Sequence, residues 1–195
     1  MNAPYAPEPV RSRLEDALAD EGHPAYGQVA TLDEDGIIQV RTVHLRSVSE
    51  RASLGFSTHV RSAKWRQLAR NPSLSGCYFD AHRLVQFRWS GRAELVEASR
   101  ADGGDRALLA RMWRQVREDL RKAYWMDHEG LKAGEPFPEG IDLDRACPNM
   151  GTVVCHPDRW DVLEIVEEDY RRDRRVLYTL RGDSWISRPV SLLHS

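Results

Sequence analysis

The chain has 195 residues, with 28 Lys and Arg against 30 Asp and Glu and a net charge of -2; 41% of residues are hydrophobic and 30% charged. That balance suits one soluble globular domain and excludes a disordered chain. It also speaks against a broad nucleic-acid binder, which needs a basic excess. No apolar run approaches the roughly 18 residues of a membrane helix, so no membrane partner is expected. Met1 to Pro9 lacks the basic-then-apolar pattern of a secretory signal. The three cysteines, Cys77, Cys147 and Cys155, are an odd number; without a signal they predict reduced thiols and a cytoplasmic location. Cys147, Cys155 and His156 lack the paired spacing of a zinc site, and no metal is expected.

In chain order, residues 8–21 read as a helix with Val10, Leu14, Ala17 and Leu18 on one face, stopped by Gly22 and Pro24. Tyr26 to Leu32 and Ile37 to Arg46 read as strands of a hairpin around the acidic turn Asp33-Glu34-Asp35-Gly36. Another strand is expected near Leu54–Thr58, then a helix over 61–70 ended by Asn71-Pro72. Ser73–Phe79 and Leu84–Val96 alternate as strands. Residues 102–124 carry a helical stripe of Leu109, Met112, Trp113, Val116 and Leu120. From 127 to 149 Gly, Pro and acids make a long loop, of the kind often used for function. Gly151–His156, Arg159–Ile165, Arg174–Leu180 and Ser184–Arg188 return to strand pattern. Short strands without βαβ alternation predict a mainly β fold with flanking helices, an antiparallel barrel closed at least in part.

Three stretches carry candidate chemistry. Between Phe56 and Arg70 stand Arg61, Lys64, Arg66 and Arg70 and no acid. Ser57-Thr58 closes the strand before them, and Ser62 is placed to cap the helix. Hydroxyls, a lysine and a helix N-terminus together suit a phosphate; the same charges also suit a solvated basic face. In Arg41-Thr42-Val43-His44-Leu45-Arg46, alternation puts Arg41, Val43 and Leu45 on one face and Thr42, His44 and Arg46 on the other. The two arginines share a face only if the strand bends. Gln86, among apolar neighbours, needs a partner, either backbone or the amide edge of a ligand.

Taken in order, these stretches resemble the pyridoxamine 5'-phosphate oxidase family of FMN-binding split barrels. The family's Arg-x-Val-Leu-Leu-Lys strand stands here as Arg41–Arg46. Its hydroxyl pair and Ser-Arg-Lys helix start stand as Ser57, Thr58, Ser62, Ala63 and Lys64. Asn71-Pro72 follows, then Gln86 in place of the glutamine of Arg-Gln-Val. Arg171 to Tyr178 fits in part the Arg-x-His-x-Arg-x-x-Tyr of the family's C-terminus. The resemblance implies a six-stranded antiparallel split barrel occupying residues 1–195 as one domain. It also implies a homodimer with FMN at the subunit interface and a small-molecule substrate. Cofactor contacts would be Arg41, Thr42, Val43, His44, Leu45 and Arg46, largely through main-chain groups at the ring. Ser57, Thr58, Ser62 and Lys64 would hold the phosphate, and Gln86 would face the flavin. Arg175 would reach the flavin of the second copy.

The departures are as informative. Ala63 replaces the middle arginine of the phosphate motif. Ile165 is read at the place of a family tryptophan. Asp173 replaces the substrate-binding histidine, leaving Arg171 as the substrate contact, with Arg117 and Arg121 as further candidates. The implied activity is therefore flavin-mediated hydride or electron transfer with an unidentified small molecule, and not turnover of the vitamin phosphate. A non-catalytic flavin or haem module, or an F420-dependent reductase on the same barrel, are the alternatives.

Overall fold

The structure is a computed structural model that describes residues 6–20, 22–48, 52–126, 136–137 and 139–191. Helix α1 (Glu8–Leu18) buries Val10, Leu14 and Ala17 and ends before the expected Gly22. Past its end the Asp20 carboxylate accepts the N–H groups of Gly22 and His23. Strands β1 (Tyr26–Leu32) and β2 (Ile38–His44) form the expected hairpin. Asp33 Oδ1 ties its turn by accepting from the Asp35 and Ile37 N–H groups at 3.1 and 2.8 Å.

Strand β3 (Arg46–Val48) continues β2 beyond Leu45, and β4 (Ala52–His59) follows. Helix α2 (Ala63–Arg70) starts at Ser62 and stops at Asn71. Strands β5 (Ser73–Asp80) and β6 (Val85–Glu97) lead into α3 (Gly103–Arg114) and α4 (Glu118–Ala123). The single helix expected over 102–124 is thus broken. Val116 N–H turns back to Trp113 O, and Arg117 takes an extended ψ of 149°. The stripe buries Leu109, Met112, Trp113 and Val116, whereas Leu120, beyond the break, is 51% exposed. Strand β7 (Met150–Glu164) joins two expected strands into one, and β8 (Arg174–Arg181) and β9 (Ser184–Val190) follow.

All nine described strands share one antiparallel sheet, ordered β2-β1-β5-β6-β7-β4-β3, with the β8–β9 hairpin attached to β7. The two ends of that path, β2 and β3, are consecutive in the chain, so the sheet curls back on itself into a barrel. Leu45 sits at the seam, its N–H bonded to Ala25 O at 2.8 Å. Strand β7 pairs with β6 on one side; on its other side it pairs with β4 over Met150–Cys155 and with β8 over Arg159–Glu164. The barrel splits at that change of partner. A register shift opposite Ser90 and Gly91 makes the bend, and a Cβ at Gly91 would stand 2.2 Å from His156 O. The count exceeds the six strands of the resemblance through the short β3 and the β8–β9 hairpin.

One apolar cluster fills the barrel with Leu14, Leu54, Phe56, Phe87, Trp89 and Trp160. Side chains of this size contribute roughly 1.5–3 kcal/mol each on full burial. A second cluster, including Met112, Trp113, Cys147 and Met150, packs α3 against β6 and β7. The described tail of the 127–149 loop is clasped there, with Leu143 O accepting from Trp113 Nε1 at 2.7 Å and Arg121 Nη1 at 3.1 Å. Residues 127–135 and 138 lie outside the described residues.

Candidate cofactor site

Ser62 caps α2 as its sequence position suggests: its Oγ accepts the Trp65 N–H at 3.3 Å. The same hydroxyl lies 3.1 Å from Thr58 Oγ1, which accepts from Lys64 Nζ at 3.2 Å. Arg41 enters from β2. Its Nη1 donates to Thr31 Oγ1 at 2.6 Å and its Nη2 to Gln67 Oε1 at 2.9 Å, so it is anchored to α2 one turn beyond Lys64. Burial, and then the charge of Arg41, lowers the pKa of Lys64, and burial lowers that of Arg41. Neither cation has a carboxylate partner among the described residues. Two desolvated cations without counter-charge, two hydroxyls and the free N–H groups of a helix start fit the terminal phosphate of FMN.

Trp65 holds the helix in place. Its ring packs on Gly151, the register partner of Thr58, where an added Cβ would meet Trp65 Cζ3 at 2.2 Å. Ser57 does not join the cradle. It stands opposite Thr152 in register, and both hydroxyls are buried without hydrogen-bond partners among the described residues. Alternation along β4 turns the Ser57 side chain to the face opposite that of Thr58.

The Arg41–Arg46 strand keeps its alternation. Val43 and Leu45 are buried, and Thr42 is exposed on the outer face. His44 and Arg46 meet there, with Arg46 Nη2 3.2 Å from His44 Nδ1. Arg46 Nη1 donates to Gln115 Oε1 at 3.4 Å, and the His44 ring tilts against Tyr26 with centroids 5.0 Å apart. Burial, then the Arg46 charge, lowers the His44 pKa. Arg41 and Arg46 therefore serve two separate polar clusters. Strand β2 ends the sheet path, and the edge it turns away from β1 pairs with no other described strand, leaving main-chain groups for a ring.

Gln86 and Arg175 lie in one row across the sheet, each opposite Leu163. The apolar residue beside them is thus Leu163 and not Ile165, which lies past the end of β7 with its N–H bonded to Leu84 O. Arg175 is held by Asp161, Nε to Oδ1 at 2.9 Å and Nη2 to Oδ2 at 2.8 Å. Arg171 is exposed and paired with Asp169 at 2.8 Å, and Asp173 Oδ1 accepts the Val166 N–H at 2.7 Å. Sequence reasoning missed Thr31, Gln67, Gln115 and Asp161. Gln67 had a helical signal, three positions after Lys64. The other three are tied in only by contacts distant in sequence.

The family profile "Pyridoxamine 5'-phosphate oxidase, FMN-binding domain" matches residues 7–97, which span α1 to β6 and contain the cradle. "Pyridoxine/pyridoxamine 5'-phosphate oxidase 2" of Arabidopsis thaliana is 33% identical over 148 residues, covering 73% of this chain and 75% of the relative. The chain belongs to the pyridoxamine 5'-phosphate oxidase family. Another member, from Ectopseudomonas mendocina, is 35% identical over 96 residues, 48% of this chain and 44% of its own.

Solved structures show the family's split-barrel fold. A pyridoxamine 5'-phosphate oxidase-related, FMN-binding protein of Nostoc punctiforme superposes with a TM-score of 0.76 at 24% identity, covering 95% of this chain and 98% of its own. PhzG of Burkholderia lata, in complex with tetrahydrophenazine-1-carboxylic acid, gives 0.66 at 20% identity over 86% and 82% of the two chains.

Proposed function

We propose that the chain is a cytoplasmic FMN-dependent oxidoreductase that moves a hydride or electrons between flavin and a small molecule. The observation that carries the reading is the uncompensated pair Arg41 and Lys64 beside Thr58 and Ser62 at the start of α2. Bound FMN supplies the two-electron chemistry. The chain's own residues bind and orient it: Arg41, Thr58, Ser62 and Lys64 at the phosphate, the open edge of β2 at the ring, and Gln86 and Arg175 across the subunit boundary. A homodimer accounts for the apolar strip on the outer face, where Tyr26, Ile38, Val40 and Phe79 are 43–67% exposed. Exposed apolar patches of this kind mark association surfaces.

The substrate we propose is not the vitamin phosphate. Asp173 stands where the family's histidine stands, and its carboxylate is committed to the Val166 N–H. Titrating the purified protein with FMN tests the reading. The expected outcome is saturable binding, with Lys64→Ala weakening it by ~1–3 kcal/mol, the worth of a charge-assisted contact. A protein that takes up no FMN, or a Lys64→Ala variant with unchanged affinity, would overturn it.

A further inference from the structure

The outer face of β6 to β9 carries a groove of about 640 Å3, within the roughly 300–1,000 Å3 of small-molecule sites. Four arginines line it: Arg88, Arg159, Arg181 and Arg188. The register explains their convergence. Arg88, Asp161, Leu177 and Arg188 form one row across four strands, and Ser90, Arg159, Thr179 and Ile186 form the next row on the same face. Among the described residues Asp161 is the one carboxylate lining the groove, and it is already committed to Arg175 and Arg88. Arg159, Arg181 and Arg188 have no carboxylate partner among the described residues. Three unpaired guanidiniums beside one bounded cleft repel one another unless an anion enters.

We propose that this groove is a binding site for a small polyvalent oxyanion, a phosphate ester or polycarboxylate. Guanidinium forks suit both groups, and the hydroxyls of Ser75, Ser90 and Thr179 line the same cleft. A small ligand fits better than a nucleic acid, because the chain has a net charge of -2 and Asp161 interrupts the face. The site is separate from the α2 cradle, and its anion binding does not require flavin. Because its first row lies next to Gln86, Leu163 and Arg175, the ligand would sit beside the residues assigned to the second copy's flavin.

Calorimetry at fixed ionic strength tests the groove, with pyrophosphate and citrate as probes and FMN present at one equivalent per chain to fill the cradle. Saturable binding of either probe is expected. The double variant Arg181→Gln/Arg188→Gln should weaken it by about tenfold or more, the scale of lost charge-assisted hydrogen bonds. In a Lys64→Ala background the probe should still bind and its binding should still depend on Arg181 and Arg188, which keeps the outcome apart from the flavin reading. Both arginines are exposed, so the double variant retains the core, and Arg159→Gln provides an independent second probe. Absence of saturable binding overturns the proposal. So does loss of binding on Lys64→Ala with none on the arginine variants, which places the anion in the cradle.

Discussion

Asp161 holds Arg175 in a two-point ion pair across neighbouring strands, with both side chains mostly covered at 13% and 16% exposure. Arg88, directly opposite Asp161 in register, donates to the same carboxylate at 3.2 Å. One acid thus orders two cations, and the hydrogen bonds that Arg175 donates to Asp161 raise the arginine's pKa.

Asp161→Asn removes the charge but keeps the shape. It puts a neutral acceptor in place of the carboxylate that Arg175 and Arg88 share. The expected result is a loss of stability of about 1–2 kcal/mol in urea unfolding, the scale of a charged hydrogen bond. An unchanged midpoint would show that the pair adds nothing.

Lys64 predicts a pH dependence. Its folded pKa lies below that of the unfolded chain because burial and Arg41 disfavour the ammonium. In the free protein the group is therefore destabilising while charged. The penalty is relieved as pH rises through the lowered folded pKa towards the unfolded value near ~10.4. A bound phosphate favours the ammonium, so FMN affinity should fall as pH rises through the same window, with proton uptake on binding there. Calorimetry in buffers of different ionisation enthalpy measures that uptake; Lys64→Ala should abolish it.

Gly151→Ala forces a Cβ into the Trp65 ring. Overpacking of a buried site costs about 1–3 kcal/mol. Here the displaced element is α2, so FMN affinity should drop together with thermal stability. A variant that loses stability but binds FMN as tightly as before would uncouple Trp65 from the cradle.

Asp173→His restores the family residue but removes the acceptor of the Val166 N–H. The expected outcome is a loss of about 0.5–1.5 kcal/mol in stability, with no gain of pyridoxamine phosphate oxidation. Appearance of that activity would show that residue 173 alone had excluded the vitamin substrate.

Much of the fold was legible because period and punctuation are local. The hairpin from Tyr26, the Ser62 cap and the Asn71-Pro72 stop follow from residues within a few positions of one another. The break between α3 and α4 was not legible. The stripe of Leu109, Met112, Trp113 and Val116 stays in phase up to the break, and only the extended backbone at Arg117 ends it. The merging of two strands into β7 depended on β6 running unbroken beside it past the Gly91 bend.

The near-neutral charge behaves likewise. The sequence by itself determined that the sum of -2 hides a basic stretch around Lys64, and that Arg41 and Arg46 point to opposite faces unless the strand bends. Only the tertiary structure decided which charges are left without partners. Asp161 satisfies Arg88 and Arg175, Asp169 satisfies Arg171, and Arg41 and Lys64 remain without a carboxylate among the described residues. Composition counts charges, but partners are set by cross-strand register and by helix packing, which bring together residues far apart in the chain.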